Sequence, residues 1–203
     1  RKITKAMQMV AAAKLRRAQE AAEASRPYTE RFNAVMGQLA ASVGGSASAP
    51  KLLSGTGSDQ VQLLIVMTAE RGLCGGFNSS IAKAASLKVQ ELVADGKDVQ
   101  ILCVGKKGRD ALKRRFGHLI IDFVDLSGSK RIGFGDAQPI AQRALAMFDN
   151  DEFDVCTIFY AKFVSVMTQE VTGQQLIPAS IPEKSETEAE NEVDYDYEPE
   201  EEE

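Results

Sequence analysis

Residues 1–43 read RKITKAMQMVAAAKLRRAQEAAEASRPYTERFNAVMGQLAASV, and their spacing decides how the rest of the chain must be arranged. Apolar side chains recur at Ile3, Met7, Val10, Leu15, Ala18, Ala22, Phe32, Val35, Met36 and Leu39, a helical and not a strand period. About 42 residues at 1.5 Å each predict a rod of about 60 Å, longer than a small domain is wide. The rod is therefore expected to project from whatever the remaining residues build. Residues 6–13 (AMQMVAAA) are apolar or neutral on nearly every side, with Gln8 the one polar member. A helix apolar all round is normally enclosed all round. Lys14, Arg16 and Arg17 follow as a cationic cluster. Pro27 removes a helical hydrogen bond and crowds the preceding turn. The apolar stripe keeps its phase across it, which predicts a kinked, continuous helix. Two readings stand: a long packing helix with a solvated basic face, or a shaft whose far end is enclosed by other chains.

Beyond the rod, residues 44–60 are rich in Gly, Ser and Pro and read as a flexible connection. Residues 60–67 (QVQLLIVM) read as a buried strand. A helix over 81–94 follows, capped by Asn78 or Ser79 and ended by Gly96. Residues 98–104 form a second strand, followed by a short basic helix ending near Phe116. A third strand is read over 118–126 and a helix over 136–148, with Pro139 in its first turn. Residues 153–160 and 162–176 read as two further strands joined tightly, hence an antiparallel hairpin. Strands alternating with helices predict an α/β domain over 61–178, with a mainly parallel five-stranded sheet and an acidic tail over 179–203.

Of the 203 residues, 44% are hydrophobic and 26% charged, ordinary values for a soluble protein. No apolar run approaches the roughly 20 residues a bilayer span needs. The chain opens on Arg1, so residues before it are expected to be missing. The net charge of −5 conceals two opposed regions. Residues 183–203 carry 12 acids against one lysine, whereas the rod is basic. Cys74, Cys103 and Cys156 are odd in number and widely spaced, and His118 is the sole histidine, so zinc chemistry is not indicated. Cys103 and Cys156 lie in apolar runs and read as buried thiols of a reducing compartment.

A glycine-rich loop after the first strand invites a nucleotide-binding reading, but ERGLCGGFN (70–78) fits neither common phosphate-binding spacing. GKKGRD (105–110) does place cations at a helix start, where anions bind. No nucleophile with a base is evident, so no catalytic residue is assigned. A basic rod could also meet nucleic acid, but its cations are spread out and its first 27 residues hold no aromatic. For ERGLCGGFN the plain reading is a tight strand-to-helix turn needing Gly72, Gly75 and Gly76 for close backbone approach.

KITKAMQMVAAAKLRRAQ (2–19) with SRPY (25–28), ERGLCGGFN (70–78), and Tyr195 with DYEP (196–199) together resemble the gamma subunit of the F-type ATP synthases. The resemblance runs through all 203 residues in order. It implies that the rod is half of an antiparallel coiled coil, its partner a carboxy-terminal helix beyond Glu203. The α/β domain is then Rossmann-like. The implied function is mechanical: a central rotor stalk coupling proton-driven rotation of a membrane ring to ATP synthesis in an alpha/beta ring. No cofactor, metal or catalytic residue is implied for this chain.

The resemblance also implies contacts. Lys2, Lys5, Met7, Met9, Val10 and Lys14 on the rod would meet the alpha and beta subunits. So would Arg71, Gly72, Cys74, Gly75, Gly76 and Asn78 in the loop, with Arg71 as the ionic partner. Tyr195, Tyr197 and Glu198 would lie near the membrane c-ring and the epsilon-type subunit. The implied location is peripheral to an energy-transducing membrane, on the cytoplasmic face in a bacterium or the matrix face in a mitochondrion. The absence of a close cysteine pair argues against the thiol gating of chloroplast members. The rival from another class is a nucleotide-binding α/β regulatory domain with a basic helical arm.

Overall fold

The computed structural model describes residues 2–43, 49–129 and 132–179, with side-chain detail from residue 4 to 38 in the first of these. Helix α1 (Lys2–Val43) is one unbroken helix of 42 residues with Pro27 inside it. The Ser25 hydroxyl donates to the Ala22 carbonyl at 2.9 Å and that of Thr29 to the Ser25 carbonyl at 3.1 Å. These bonds reinforce the turns on either side of the proline, where a main-chain donor is missing.

The α/β body contains α2 (Lys51–Ser54), β1 (Val61–Met67), α3 (Phe77–Ala94), β2 (Asp98–Val104), α4 (Lys106–Phe116), β3 (Ile120–Val124), α5 (Phe134–Asp149), β4 (Val155–Phe163) and β5 (Gln169–Ile177). The five strands lie in the order β3-β2-β1-β4-β5. All neighbours are parallel except β4 and β5, which form the expected antiparallel hairpin. Right-handed crossovers explain the layering. The chain moves one way from β1 through β2 to β3, which places α3 and α4 on one face. It then returns past β1 to β4, which places α5 on the other.

Alternation along the strands divides the core accordingly. Leu64, Val66, Ile101 and Cys103 pack with Ile81, Ala85, Val89 and Leu112 on the α3/α4 side. Leu63, Ile65, Leu102 and Val104 pack with Ile140, Ala144, Met147 and Phe148 on the α5 side. Cys103 and Cys156 are fully buried within these two layers. Desolvation raises the Cys103 thiol to about 11, partly offset by nearby Arg109, and the Cys156 thiol to about 12. Both remain un-ionised at neutral pH.

Three local readings are corrected. Within the stretch read as a flexible connection, residues 51–54 are helical, and Thr56 and Ser58 are tied to Asp154 at 2.6 and 3.0 Å. Helix α3 starts at Phe77 behind Gly76, and neither Asn78 nor Ser79 caps it, because Asn78 is committed to the loop before it. Helix α5 begins two residues earlier than its pattern suggests, at Phe134, so Pro139 falls beyond the first turn. The Asp136 carboxylate accepts the Gly133 N–H at 2.8 Å and fixes that earlier start.

Candidate partner interface

Every residue from Thr4 to Ala18 on α1 is exposed. Met7 is 67% exposed, Met9 66% and Val10 55%. Met7 and Met9 are separated by about 200° around the helix at 100° per residue, so apolar surface faces opposite sides at once. Ala6, Met7, Val10, Ala11 and Lys14 share one of these faces and line a shallow apolar groove. Lys5 and Lys14 stand exposed beside it, while Arg16 pairs with Glu20 at 2.8 Å. Further along, Tyr28 stacks on Phe32, and the Arg26 guanidinium reaches the Phe163 carbonyl at 3.4 Å. The side chain of Lys2 lies outside the described residues, as do Tyr195, Tyr197 and Glu198.

The second cluster is the loop after β1, at the carboxyl end of the parallel strands. Its base is held by a dense set of bonds. Glu70 accepts the Lys106 N–H at 3.0 Å through one carboxylate oxygen and the Leu126 N–H at 2.8 Å through the other. It thereby ties the ends of three strands together. The Ala69 carbonyl accepts the Lys107 N–H at 3.2 Å, and the Thr68 hydroxyl accepts the Gly108 N–H at 2.7 Å. The first three amides of α4 are thus all taken by residues 68–70. A phosphate approaching GKKGRD from the loop side meets a resident carboxylate instead of free N–H groups, which removes the site on which the nucleotide-binding rival rests.

Asn78 closes the loop on itself. Its carboxamide oxygen accepts the Ala69 N–H at 2.8 Å, and its Nδ2 donates to the Arg71 carbonyl at 3.2 Å and approaches Cys74 Sγ at 3.0 Å. Between these ties Arg71, Gly72, Leu73, Cys74, Gly75 and Gly76 are all exposed. Leu73 stands at the tip, 109% exposed and at φ 61°. It was not singled out by sequence; a large apolar residue flanked by glycines in an otherwise polar loop is the signal that marks it.

The glycines play other parts than close approach. A Cβ on Gly72 or Gly76 would meet nothing nearer than 3.4 Å, and Gly75 is required only for its φ of +59°. Close approach belongs to Gly105 and Gly108. A Cβ there would lie 2.1 Å from the Thr68 carbonyl oxygen and 2.7 Å from the Thr68 hydroxyl, respectively. Beside the loop, a cleft of about 320 Å³ separates Cys74, Phe77 and Ser80 from Met167 and Gln169 of the β4–β5 hairpin.

Among the described residues, no group of three or more His, Cys, Asp or Glu side chains could hold a metal ion. No helix there is long and apolar enough to cross a membrane.

A long helix exposed on opposite apolar sides, carried by a doubly wound α/β body with its own carboxylate at the α4 amides, defines an α/β protein with an exposed arm and an exposed loop. A family model described as ATP synthase matches residues 1–203, and the chain belongs to that family. The ATP synthase gamma chain of Roseobacter denitrificans is 71% identical over 184 residues, covering 91% of this chain and 63% of the relative. That of Ruegeria pomeroyi is 68% identical over 188 residues, covering 93% of this chain and 65% of the relative. The chain therefore spans a little under two thirds of these relatives' length. Among solved structures, a chain of the Tetrahymena thermophila mitochondrial ATP synthase central stalk and c-ring matches with a TM-score of 0.65 at 28% identity. That match covers 87% of this chain and 72% of the other.

Proposed function

We propose that this chain is the central rotor stalk subunit of an F1Fo ATP synthase, passing rotation of the membrane ring to the alpha/beta ring as conformational change. The observation that carries this is the apolar surface of residues 6–13, exposed on opposite sides of one helix. A side-packing helix needs one apolar stripe; a shaft enclosed by a sleeve needs apolar surface all round. Non-directional apolar contact can be remade at each angle without a deep energy well. Lys5 and Lys14 add long-ranged attraction to acidic loops, which tolerates changes of angle. Family membership and the likeness to a central stalk support the same reading.

In this proposal Lys2, Lys5, Met7, Met9, Val10 and Lys14 face the alpha and beta subunits. Arg71, Gly72, Cys74, Gly75 and Gly76 do so from the loop, and Leu73 joins them. Asn78 acts from behind as the residue that shapes the loop. Tyr195, Tyr197 and Glu198 face the c-ring and the epsilon-type subunit. In this reading the chain contributes no catalytic residue and lies peripheral to the energy-transducing membrane, on the cytoplasmic face of a bacterial inner membrane, the alternative being the matrix face in a mitochondrion.

The test is to mix this chain with alpha and beta subunits of a gamma-chain relative and isolate the complex. Binding is expected, and in the assembled enzyme Met7→Lys is expected to add an ionic contact to the ring and impair coupling between hydrolysis and transport, without changing the fold of the body. Unchanged proton pumping per ATP in Met7→Lys, or saturable ATP binding by the isolated chain, would overturn the proposal.

A further inference from the structure

We propose that the last turn of α4 and the neighbouring face of α3 bind the anionic headgroups of a phospholipid bilayer. The orientation toward the membrane rests on the rotor-stalk proposal; the charge of the patch does not. Helices α3 and α4 together carry eight cations against Glu91 and Asp110, a net +6. On the other face of the sheet, α5 carries Arg143 against Asp136 and Asp149, a net −1. The sheet therefore separates a strongly cationic side of the body from a nearly neutral one, although the chain as a whole has a net charge of −5. Attraction to an anionic surface is thus a property of this patch and not of net charge.

Helix α4 seats Gly108, Leu112 and Phe116 in the core. At 100° per residue, Lys106, Lys113 and Arg114 then fall on its outward half. Lys83, Lys106, Lys113, Arg114 and Arg115 are exposed and form no ion pair among the described residues. The two acids are already engaged, Asp110 by Lys107 at 3.8 Å and Glu91 by Lys88 at 2.7 Å. Arg115 donates to Gln90 at 3.2 Å, which holds the last turn of α4 against α3. One turn before Gln90, Leu87 is 57% exposed and adds an apolar contact beside the cations. Cations in a last turn also offset the helix dipole, but Lys106 and Lys107 stand in the first turn, where the dipole opposes positive charge. Helix stability therefore does not account for the charge of α4.

The arrangement selects a planar polyanion. Lys113, Arg114 and Arg115 are consecutive, so they fan over about 200° of the helix and form no single stripe. A partner helix or a groove reads a stripe, whereas a plane of headgroups accepts cations wherever they reach it. Phe116 is buried, so α4 offers no exposed ring on which bases could stack.

Topology sets which end of the body carries the charge. Helix α4 begins beside Glu70 at the carboxyl ends of the parallel strands and runs back to their amino ends before β3 starts. The loop after β1 occupies the opposite, carboxyl end. With that loop against the alpha/beta ring, Lys113, Arg114 and Arg115 stand at the end of the body away from the ring, which is the membrane side of a stalk. Each Lys or Arg close to an anionic bilayer raises partitioning about fivefold. The attraction decays within about 8 Å at physiological salt, so the last turn must come close to the headgroups.

Co-sedimentation of the full chain with extruded vesicles tests this. Binding to phosphatidylcholine vesicles containing about one third phosphatidylglycerol is expected at least tenfold above binding to phosphatidylcholine alone. Lys113→Gln with Arg114→Gln should lower it at least fivefold, and half-molar sodium chloride should abolish it. Arg17→Gln with Arg31→Gln, which removes two exposed cations of α1, should leave it within twofold. Capture of the Lys113→Gln, Arg114→Gln chain by alpha and beta subunits should be unchanged. Equal binding to both vesicle types, an equal loss from the α1 pair, indifference to salt, or tighter binding to polyglutamate or duplex DNA than to the vesicles would each overturn the proposal. Failure of the unsubstituted chain to be captured by alpha and beta subunits would overturn the rotor-stalk proposal instead and leave the vesicle result standing.

Discussion

Glu70→Ala removes one carboxylate that holds two main-chain donors on different elements, the Lys106 N–H at 3.0 Å and the Leu126 N–H at 2.8 Å. A hydrogen bond to a charged group contributes about 1.5–3 kcal/mol when sheltered. Glu70 is half-buried, and one of its bonds is solvent-exposed, so solvent screening reduces this to about 1 kcal/mol for each bond. Favourable placement at the α4 amino terminus adds about 0.5 kcal/mol. The expected loss is about 2.5 kcal/mol for Glu70→Ala. Glu70→Gln keeps one acceptor but turns an NH2 toward the other donor, and is expected to lose about 1.5 kcal/mol. With a urea slope of about 1.5 kcal/mol/M, the alanine variant should shift the midpoint by about 1.7 M. Equilibrium urea unfolding followed by circular dichroism measures this, and hydrogen exchange at Lys106 and Leu126 localises it. A midpoint shift under about 0.3 M, with exchange at both amides unchanged, would refute the claim that this carboxylate joins the three strand ends.

Other outcomes follow from the same geometry. Gly105→Ala drives a Cβ to 2.1 Å from the Thr68 carbonyl oxygen at φ +92° and is expected to cost more than about 3 kcal/mol. Gly75→Ala meets no atom within 4 Å and should cost only about 1–2 kcal/mol, from its positive φ; thermal unfolding separates the two. Asp154 accepts bonds from the Thr56 hydroxyl, the Val61 N–H and the Ser58 hydroxyl, which hold its carboxyl below the ordinary range. Because folding lowers that pKa, the stabilisation is full above the unfolded value of about 3.9 and is lost as pH falls through the folded value. Solvent screening of a carboxylate this accessible holds the cost of Asp154→Ala to about 1 kcal/mol at pH 7, and progressively less below about pH 3.9, read as converging urea midpoints. Leu73→Asp should leave the melting temperature unchanged, since the side chain is 109% exposed, while weakening capture by the alpha/beta ring at least tenfold; unchanged capture would remove the loop tip from the interface.

The arm and the succession of strands and helices along the chain were legible in the sequence because both depend on local patterning. A 3.6-residue repeat from Ile3 to Leu39 and a short unbroken apolar run from Leu63 to Val66 carry the information needed to tell helix from buried strand. The resemblance carried by residues 2–19 and 70–78 identified the family for the same reason, since contiguous motifs survive reading in one dimension. What the tertiary structure alone decided concerns groups far apart in the chain. Glu70 meets Lys106 and Leu126, Asp154 meets Thr56 and Ser58, and Gly105 is forced by Thr68. Asn78 looked like a helix cap because its position relative to α3 suits one, but the loop's orphan amide at Ala69 claimed it first. Hydrogen bonds across strand ends are set by which strands become neighbours, and that depends on crossover handedness and burial, not on any local run of residues.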